Sequence, residues 1–532
     1  MEIREVAVIG LGTMGAGIAE VFARNDYSVT GIELNPDALS HGLASLDASL
    51  GKAVTRGKLA PERHMEIFGR IRPATSLADA ADADLVIEVV PERIGIKHEI
   101  LAELDELCRA GAIIATNTSS LSVTAIAAGS AHPGRVLGMH FFNPAPVMRL
   151  VEVVTTILTE PGVADTVTDL ARRLGKTPVL VTDRAGFVAN ALLLPYLNHA
   201  VRLLETGRAT REDIDLAVTE GIGLPMGPLA LLDLIGLDTS LSVMDVLAAE
   251  FGGSRYTPAP MLRRLAAAGR TGRKAGGGFY DYGVKEASNK ENEPSVKDLS
   301  VVVVSSGATQ ERAAALATAL TSAGTEVITD LGGPADLVLI ATGPEGGVLA
   351  PALAVGRPAD TVGVHLASPT LAELVPTSRT TPEALARAEA VVAGLGARIV
   401  RSADRPGLIV GGLLAAHLRD AVAMVDDGYA TPDDVEAAMT LGCGYPKGPF
   451  QLLAERGPAE IESVLRLLHA ATGDAAFGPE PLLAEYALAG IARSAPGALA
   501  APLGRRGAGG QGAGGQGAGG QGARVGWPGG GA

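Results

Sequence analysis

The stretch VAVIGLGTMG (residues 6–15) decides the fold. Its first half is a short unbroken apolar run, the pattern of a parallel strand buried on both faces. Gly10, Gly12 and Gly15 then punctuate a turn, and a helix-like stretch runs on to Arg24. Strand, glycine turn and helix in that order make a dinucleotide-binding loop. Gly10 permits the tight turn, Gly12 lets a pyrophosphate approach the backbone, and Gly15 lets helix and strand pack closely. Leu11, Thr13 and Met14 complete the loop, whose helix start offers free N–H groups to phosphate. SVTGIE (residues 28–33) reads as the second strand, and Glu33 at its end is placed to accept hydrogen bonds from an adenosine ribose. A carboxylate there repels a 2′-phosphate, so the expected cofactor is NAD rather than NADP.

Outward from this loop, ADLVIEVV (83–90), AIIATN (112–117) and RVLGMHF (135–141) read as further strands separated by helix-like stretches. That alternation predicts a doubly wound α/β domain over residues 1–184. Residues 185–283 change to helices joined by Gly/Pro turns, an all-helical substrate or dimerisation domain, and a polar linker follows at 284–297. The rest reads as a second copy. VVVV (301–304) answers VAVI, ADLVLIATG (335–343) answers ADLVIEVV, and VGVHLASP (362–369) answers VLGMHFFNP. DRAGFVAN at Asp183 aligns without gaps on DRPGLIVG at Asp404, and the match continues into LPMGP and YPKGP. The pair of domains is therefore expected twice, with a degenerate doubly wound copy at 298–403 and a second helical domain at 404–494. The glycine-rich residues 495–532, which hold the single tryptophan, cannot bury enough apolar surface to order and are expected to be a disordered tail.

Composition narrows the function. A net charge of -15, with 47% apolar and 19% charged residues, describes a globular chain that repels nucleic acid and anionic membrane. The start, MEIREVAVIG, is unlike a signal peptide, and no apolar run approaches the roughly 18 residues that span a bilayer. Cys108 and Cys443, far apart in sequence, suggest neither disulfide nor zinc site, and a cytoplasmic location is expected.

Polar clusters fall where a doubly wound sheet exposes its strand ends. TNTSS (116–120) follows one strand and HFFNP (140–144) another; Glu152 lies within LVEVV, and Asn190 opens the helical domain. Such a cleft suits alcohol oxidation, in which a histidine removes the hydroxyl proton while hydride leaves the same carbon. A carboxylate beside the histidine fixes its tautomer. Each residue also has a plainer reading: His140 as a satisfied histidine, and the Ser and Thr of TNTSS or Asn190 as helix caps. Glu152 is least comfortable as mere structure, because a buried carboxylate needs a partner.

GLGTMGAGIA, ADLVIEVVPERIGIK, TNTSSLSVTAIA, RVLGMHFFNPAPVMRLVEVV, GFVANALLLPYL, GIGLPMGPLALLD and GRTGRKAGGGFYDY cover almost all of residues 1–283. In this order they resemble the 3-hydroxyacyl-CoA dehydrogenases, including the 3-hydroxybutyryl-CoA and 3-hydroxyadipyl-CoA enzymes. The resemblance implies a Rossmann-type domain followed by a helical one, and NAD-dependent interconversion of (3S)-3-hydroxyacyl-CoA and 3-oxoacyl-CoA in fatty-acid or aromatic degradation. It implies dinucleotide contacts at the Gly10 loop, Glu33, Glu92, Lys97, Asn143 and Lys274. His140 would be the base and Glu152 its partner, with Ser119 and Asn190 holding the substrate oxygen and Ser49 and Arg56 contacting CoA. It also implies a homodimer, or a pseudo-dimer within one chain. Two departures stand out. Leu11 is more typical of the 3-hydroxyisobutyrate and 6-phosphogluconate dehydrogenases, whose catalytic lysine would fall on Gly186, and Ala191 replaces a common arginine. The alternatives are a non-CoA β-hydroxyacid dehydrogenase and a scaffold that kept only the fold.

The second copy keeps shape and loses chemistry. Its glycine positions read Ser305, Gly307 and Gln310, and Gly411 stands for Asn190. Asp84 to His140 spans 56 positions but Asp336 to His365 only 29, so the strand carrying Asn-Thr-Ser-Ser is expected to be missing. His365 and Glu373 persist as expected remnants.

Overall fold

The computed structural model describes residues 2–283, 299–305, 310–328 and 335–489. The linker, Gly307 and the glycine-rich tail lie outside the described residues.

The first sheet has eight strands: β1 (Glu5–Ile9), β2 (Ser28–Ile32), β3 (Ile71–Ala74), β4 (Leu85–Glu88), β5 (Ile113–Thr116), β6 (Val136–Phe141), β7 (Leu150–Thr155) and β8 (Thr177–Thr182). Their spatial order is β3-β2-β1-β4-β5-β6-β7-β8. Every pair is parallel except β6 and β7, and their antiparallel register sets His140 directly opposite Glu152. The order reverses at β1, between β2 and β4, which opens a crevice at the carboxyl end of β1 where the glycine loop lies. Six helices clothe this sheet: α1 (Thr13–Arg24), α2 (Pro36–Thr55), α3 (Pro61–Gly69), α4 (Ile94–Leu107), α5 (Val123–Ala127) and α6 (Pro161–Arg173). The edge strands β3 and β8 were not read from sequence, since IRPA carries a proline and TPVLVT has one partly exposed face.

Leu11 explains its own departure. It is 2% exposed and points away from the crevice, filling the space left by two glycines. A Cβ on Gly31 would lie 2.9 Å from its Cδ1, and one on Gly42 would lie 2.5 Å from its carbonyl oxygen. The large residue in the loop is thus a core residue joining α2 to β2.

The helical domain begins with α7 (Ala189–Glu205). Beyond the linker a second sheet repeats the architecture, with β9 (Ser300–Ser305), β10 (Glu326–Ile328), β11 (Leu337–Ala341), β12 (Thr361–Ser368), β13 (Leu371–Pro376) and β14 (Arg398–Arg401) in the order β10-β9-β11-β12-β13-β14. Set against the first sheet, the described residues have no counterpart of β3 or β5. β12 pairs directly with β11, closing the gap left by the missing strand. The antiparallel pair survives, with His365 opposite Glu373.

The two helical domains share one core. Leu192 and Leu197 of α7 join Leu413 and Leu418 of the helix Val410–Asp426 in a single buried cluster. Arg255 reaches across to the buried Asp420 at 2.9 Å. No helix among the described residues is long and apolar enough to cross a membrane.

Truncating Leu11 to alanine should leave a void between α2 and β2 and cost about 2–4 kcal/mol of stability, read as a lower midpoint in urea denaturation.

Candidate active site

The glycine loop lines a cleft of 630 Å³ together with Glu33, Val90, Glu92, Asn117 and Ser119. The backbone there leaves no alternative to glycine at two positions. Gly10 has φ +89° and a Cβ on it would meet the Val89 carbonyl oxygen at 2.8 Å, while one on Gly15 would lie 1.8 Å from the Gly10 oxygen. A Cβ on Gly12 would meet nothing within 4 Å, so the loop opens at that point. No side chain caps the start of α1, so its first N–H groups are free to face phosphate. Glu33 stands at the rim and accepts from the Leu11 N–H at 3.2 Å. This donor set fits a dinucleotide with the ribose on Glu33.

His140, 4% exposed, adjoins this cleft through Ser119. Its Nδ1 is 2.7 Å from Glu152 Oε2 and its Nε2 is 3.0 Å from Ser119 Oγ. The carboxylate can only accept, so it fixes the proton on Nδ1 and leaves the Nε2 lone pair facing Ser119. The other Glu152 oxygen, Oε1, accepts from the N–H groups of Val188 and Ala189, both at 3.0 Å, at the start of α7. Asn190, one residue further on, donates from Nδ2 to the Ser119 carbonyl at 3.5 Å. The TNTSS loop is held from the other side, where Glu92 accepts from the Ser119 N–H at 2.7 Å and from Thr118 Oγ1 at 2.9 Å. Ser119, His140, Glu152 and Asn190, scattered over the sequence, thus meet in one chain of hydrogen bonds.

A second groove of 590 Å³ shares Thr13 with the first and is lined by Asn143, Ser49 and Arg56. Arg24, Lys52 and Lys58 add three further cations that sequence reading passed over. The signal of the two lysines is in LGKAVTRGKL, a basic spacing in an otherwise acidic chain. Asn143 lines this groove, next to the glycine-loop cleft with which it shares Thr13. Two other expected dinucleotide contacts are held in ion pairs. Lys97 is fully buried and its Nζ holds both oxygens of Glu88 at 2.9 Å, because a carboxylate buried on β4 needs that cation, and it stands 3.8 Å from Glu92, which lines the cleft. Lys274 sits on the helical domain, paired with Asp238 at 3.0 Å.

Other contributors left little trace in single-sequence reading. Asp183 accepts from Ser122 Oγ at 2.6 Å and from the N–H groups of Val123 and Thr124, fixing the start of α5. Lys176, pushed down to about 8 by burial, donates to the carbonyls of Ala145 and Met148 and shapes the loop that lines the second groove. Gly186 has φ +70° and a Cβ on it would lie 2.9 Å from the Ala191 nitrogen, so the lysine of the non-CoA class has no room there.

The second copy's equivalent is dismantled. His365 Nε2 stands 3.8 Å from Glu373 Oε2, beyond hydrogen-bond reach. Burial pushes His365 down to about 4 and Glu373 up to about 7, so the two are never charged together. Glu373 still accepts from the N–H groups of Ile409 and Val410, as Glu152 does from Val188 and Ala189. Where Asn190 stands in the first copy, Gly411 lies against Pro344, and a Cβ there would be 2.6 Å from the proline Cβ.

Residues 5–184 match the 3-hydroxyacyl-CoA dehydrogenase, NAD binding domain. The C-terminal domain of the same family matches twice, at residues 186–282 and 407–498. The chain is 35% identical over 489 residues to the 3-hydroxyadipyl-CoA dehydrogenase of Escherichia coli (strain K12), covering 92% of this chain and 98% of that one. It is 46% identical over 278 residues to the 3-hydroxybutyryl-CoA dehydrogenase of Clostridioides difficile, covering 52% of this chain and 99% of the relative. Among solved structures, the 3-hydroxybutyryl-CoA dehydrogenase from Escherichia coli K12 superposes with a TM-score of 0.77 at 33% identity, over 92% of this chain and 99% of that one.

The two buried glutamates should respond oppositely to the same substitution. Glu152→Gln should depress turnover strongly, since an amide cannot stabilise an imidazolium as a carboxylate does. Glu373→Gln should leave turnover intact and stabilise the chain. The folded Glu373 keeps its proton up to about 7, whereas the unfolded one loses it from its ordinary range upward. Wild-type stability from this group is therefore full at low pH and falls as pH rises through that window. The glutamine variant should gain on the order of 3 kcal/mol at about pH 8, the gap closing near pH 4.5, as read by urea melts across pH.

Proposed function

The chain belongs to the 3-hydroxyacyl-CoA dehydrogenase family and is an NAD-dependent oxidoreductase of CoA-linked 3-hydroxyacyl substrates; from that premise we propose that the first copy alone carries the chemistry, on (3S)-3-hydroxyacyl-CoA with a short acyl chain, in the cytoplasm. The observation that carries this is the double position of Ser119. It lines the glycine-loop cleft and at the same time touches His140 Nε2, so the cleft that would hold the cofactor and the histidine meet at one residue.

NAD bound along the Gly10 loop supplies the acceptor for the hydride leaving C3. The loop N–H groups would hold its pyrophosphate and Glu33 its ribose. His140 Nε2, unprotonated while Nδ1–H donates to Glu152, takes the proton of the 3-hydroxyl. Glu152 stabilises the imidazolium that results, with its own position fixed by the Val188 and Ala189 N–H groups. Ser119 Oγ and Asn190 Nδ2 would hold the oxygen as it becomes a carbonyl. Burial of the pair keeps water from competing for the histidine. The groove with Ser49, Lys52, Arg56 and Lys58 would take the CoA phosphates.

A second reading of the acyl group is supported by the likeness over the full length to the relative named for 3-hydroxyadipyl-CoA, which spans both copies. A non-CoA hydroxyacid substrate is disfavoured by the crowded Gly186. In assembly, the helical domains already pair within one chain, and we propose a pseudo-dimer in place of the homodimer.

NADH oxidation with acetoacetyl-CoA, 3-oxoadipyl-CoA and longer 3-oxoacyl-CoAs tests the reading: turnover is expected, fastest with the shortest, and inertness toward all of them would sink it. His140→Ala should lower kcat by about 10²–10⁴-fold while NADH binding, followed by fluorescence titration, stays intact.

A further inference from the structure

The second copy packs on the sheet face that carries the first copy's histidine. β7 alternates its side chains, so Val151 and Val153 face the helices packed beside α1, whereas Leu150 and Val154 face the helical domains. Glu152 stands between them on this second face. Onto it packs the turn Ala438–Gly442 of the second helical domain. Gly442 comes so close that a Cβ would lie 2.4 Å from Leu150 Cδ2 and 3.4 Å from Phe142 Cε1. The Phe142 ring lies 4.6 Å from the His140 ring, and Phe187 stands on another side at 5.6 Å. Cys443, next in the chain, has its thiol pushed well up by burial and by the negative charge of Glu152. Tyr429 pins the same domain down, donating to the Thr182 carbonyl at 2.9 Å. Arg184 lies between the Tyr429 and Phe251 rings, 4.8 Å from each.

The contact is made twice, by pseudo-symmetry. Gly221 of the first helical domain sits on the second sheet, where a Cβ would lie 2.6 Å from Val410 Cγ2 and 2.8 Å from Leu371 Cδ2. Its carbonyl accepts from Arg456 at 2.8 Å, and that of Glu220 accepts from Ser368 Oγ at 2.9 Å. On that side there is no chemistry to serve: His365 and Glu373 are apart, and Pro344 fills the space against Gly411.

We propose that the turn Ala438–Gly442, with Cys443, is a positioning element for the first copy's His140 and Glu152, closing the sheet face on which they stand and holding Phe142 against the imidazole. The proposal rests on His140 acting as the base. Catalytic geometry tolerates little looseness, and a misplacement near 1 Å costs about 10²-fold. A ring held on one side by Gly442 and touching the imidazole on the other transmits such a shift.

The symmetric glycines give the test its control. In the full-length chain, Gly442→Ala and Gly221→Ala each add one methyl group to an equivalent contact. Both should lower the melting temperature to a similar degree. Gly442→Ala should reduce kcat with acetoacetyl-CoA by about tenfold or more with NADH affinity unchanged, while Gly221→Ala stays within about twofold of wild type. Phe142→Leu, which removes the ring and leaves the docking in place, should reproduce the kcat loss and decides the matter if Gly442→Ala does not fold. Equal kcat losses from the two glycine variants would overturn the proposal, as would wild-type kcat in Gly442→Ala or Phe142→Leu. A wild-type chain inert toward every 3-oxoacyl-CoA would instead overturn the activity reading on which it stands.

Discussion

The carboxylate of Glu152 is fully buried on β7, where an uncompensated charge would cost several kcal/mol. Its two oxygens are satisfied from two different directions. One takes the His140 ring on the neighbouring strand, and the other takes two N–H groups at the start of α7. Because α7 begins on this carboxylate, the helical domain cannot leave the sheet without stranding a charge. Because the histidine is held by the same group, domain docking and the tautomer of His140 are set together. Asn190 stands beside Ser119 for the same reason, being one residue beyond the pair of N–H groups that Glu152 binds.

The internal duplication separates what this carboxylate does for the fold from what it does for chemistry. Glu373 keeps the two N–H groups and loses the histidine. Asp404 likewise keeps the helix start that Asp183 holds, accepting from the N–H groups of Gly347, Val348 and Leu349. Phe187 and Leu408 share a φ of 48° at the same place in the two copies. What the second copy has discarded is equally consistent: the strand before TNTSS, the asparagine, and the partner of Lys97, since Ile340 stands where Glu88 does. Retention of a glutamate opposite a histidine is thus evidence of domain docking before it is evidence of catalysis.

Much of this was legible in the sequence, for identifiable reasons. β1 and β4 to β6 are dominated by short apolar runs because both their faces are covered, and such runs stand out against helical periodicity. The shortened interval between Asp336 and His365 announced the missing strand, and the direct pairing of β11 with β12 is its structural form. His140 and Glu152 could be paired only by resemblance, since twelve residues separate them and the antiparallel register that sets them face to face is a tertiary fact. The ion pair of Lys97 is hidden in the sequence for a related reason. Its partner Glu88 lies at the end of a strand that reads as apolar, and the need to neutralise one buried charge with another is invisible until both are known to be inside. Leu11 looked like a sign of a different cofactor loop, while the glycines that accommodate it are twenty and thirty-one residues away.

Fusion of the two copies changes what each helical domain must be. In a symmetric pair the same residues have to build a site and cover the partner's, so any change that improves the cover is made in both places. A single chain lifts that constraint, because Gly221 and Gly442 occupy equivalent positions yet face different surroundings. Docking in cis also removes the concentration dependence of assembly, since the covering domain is tethered beside its target. The second copy could then lose its own cleft, with Pro344 packed against Gly411, while the contacts that seat its helical domain on the first sheet persist. Decay of the second site and persistence of its fold are two consequences of one geometry, in which the sheet face that carries the first copy's histidine is covered by residues more than two hundred and fifty positions further along the chain.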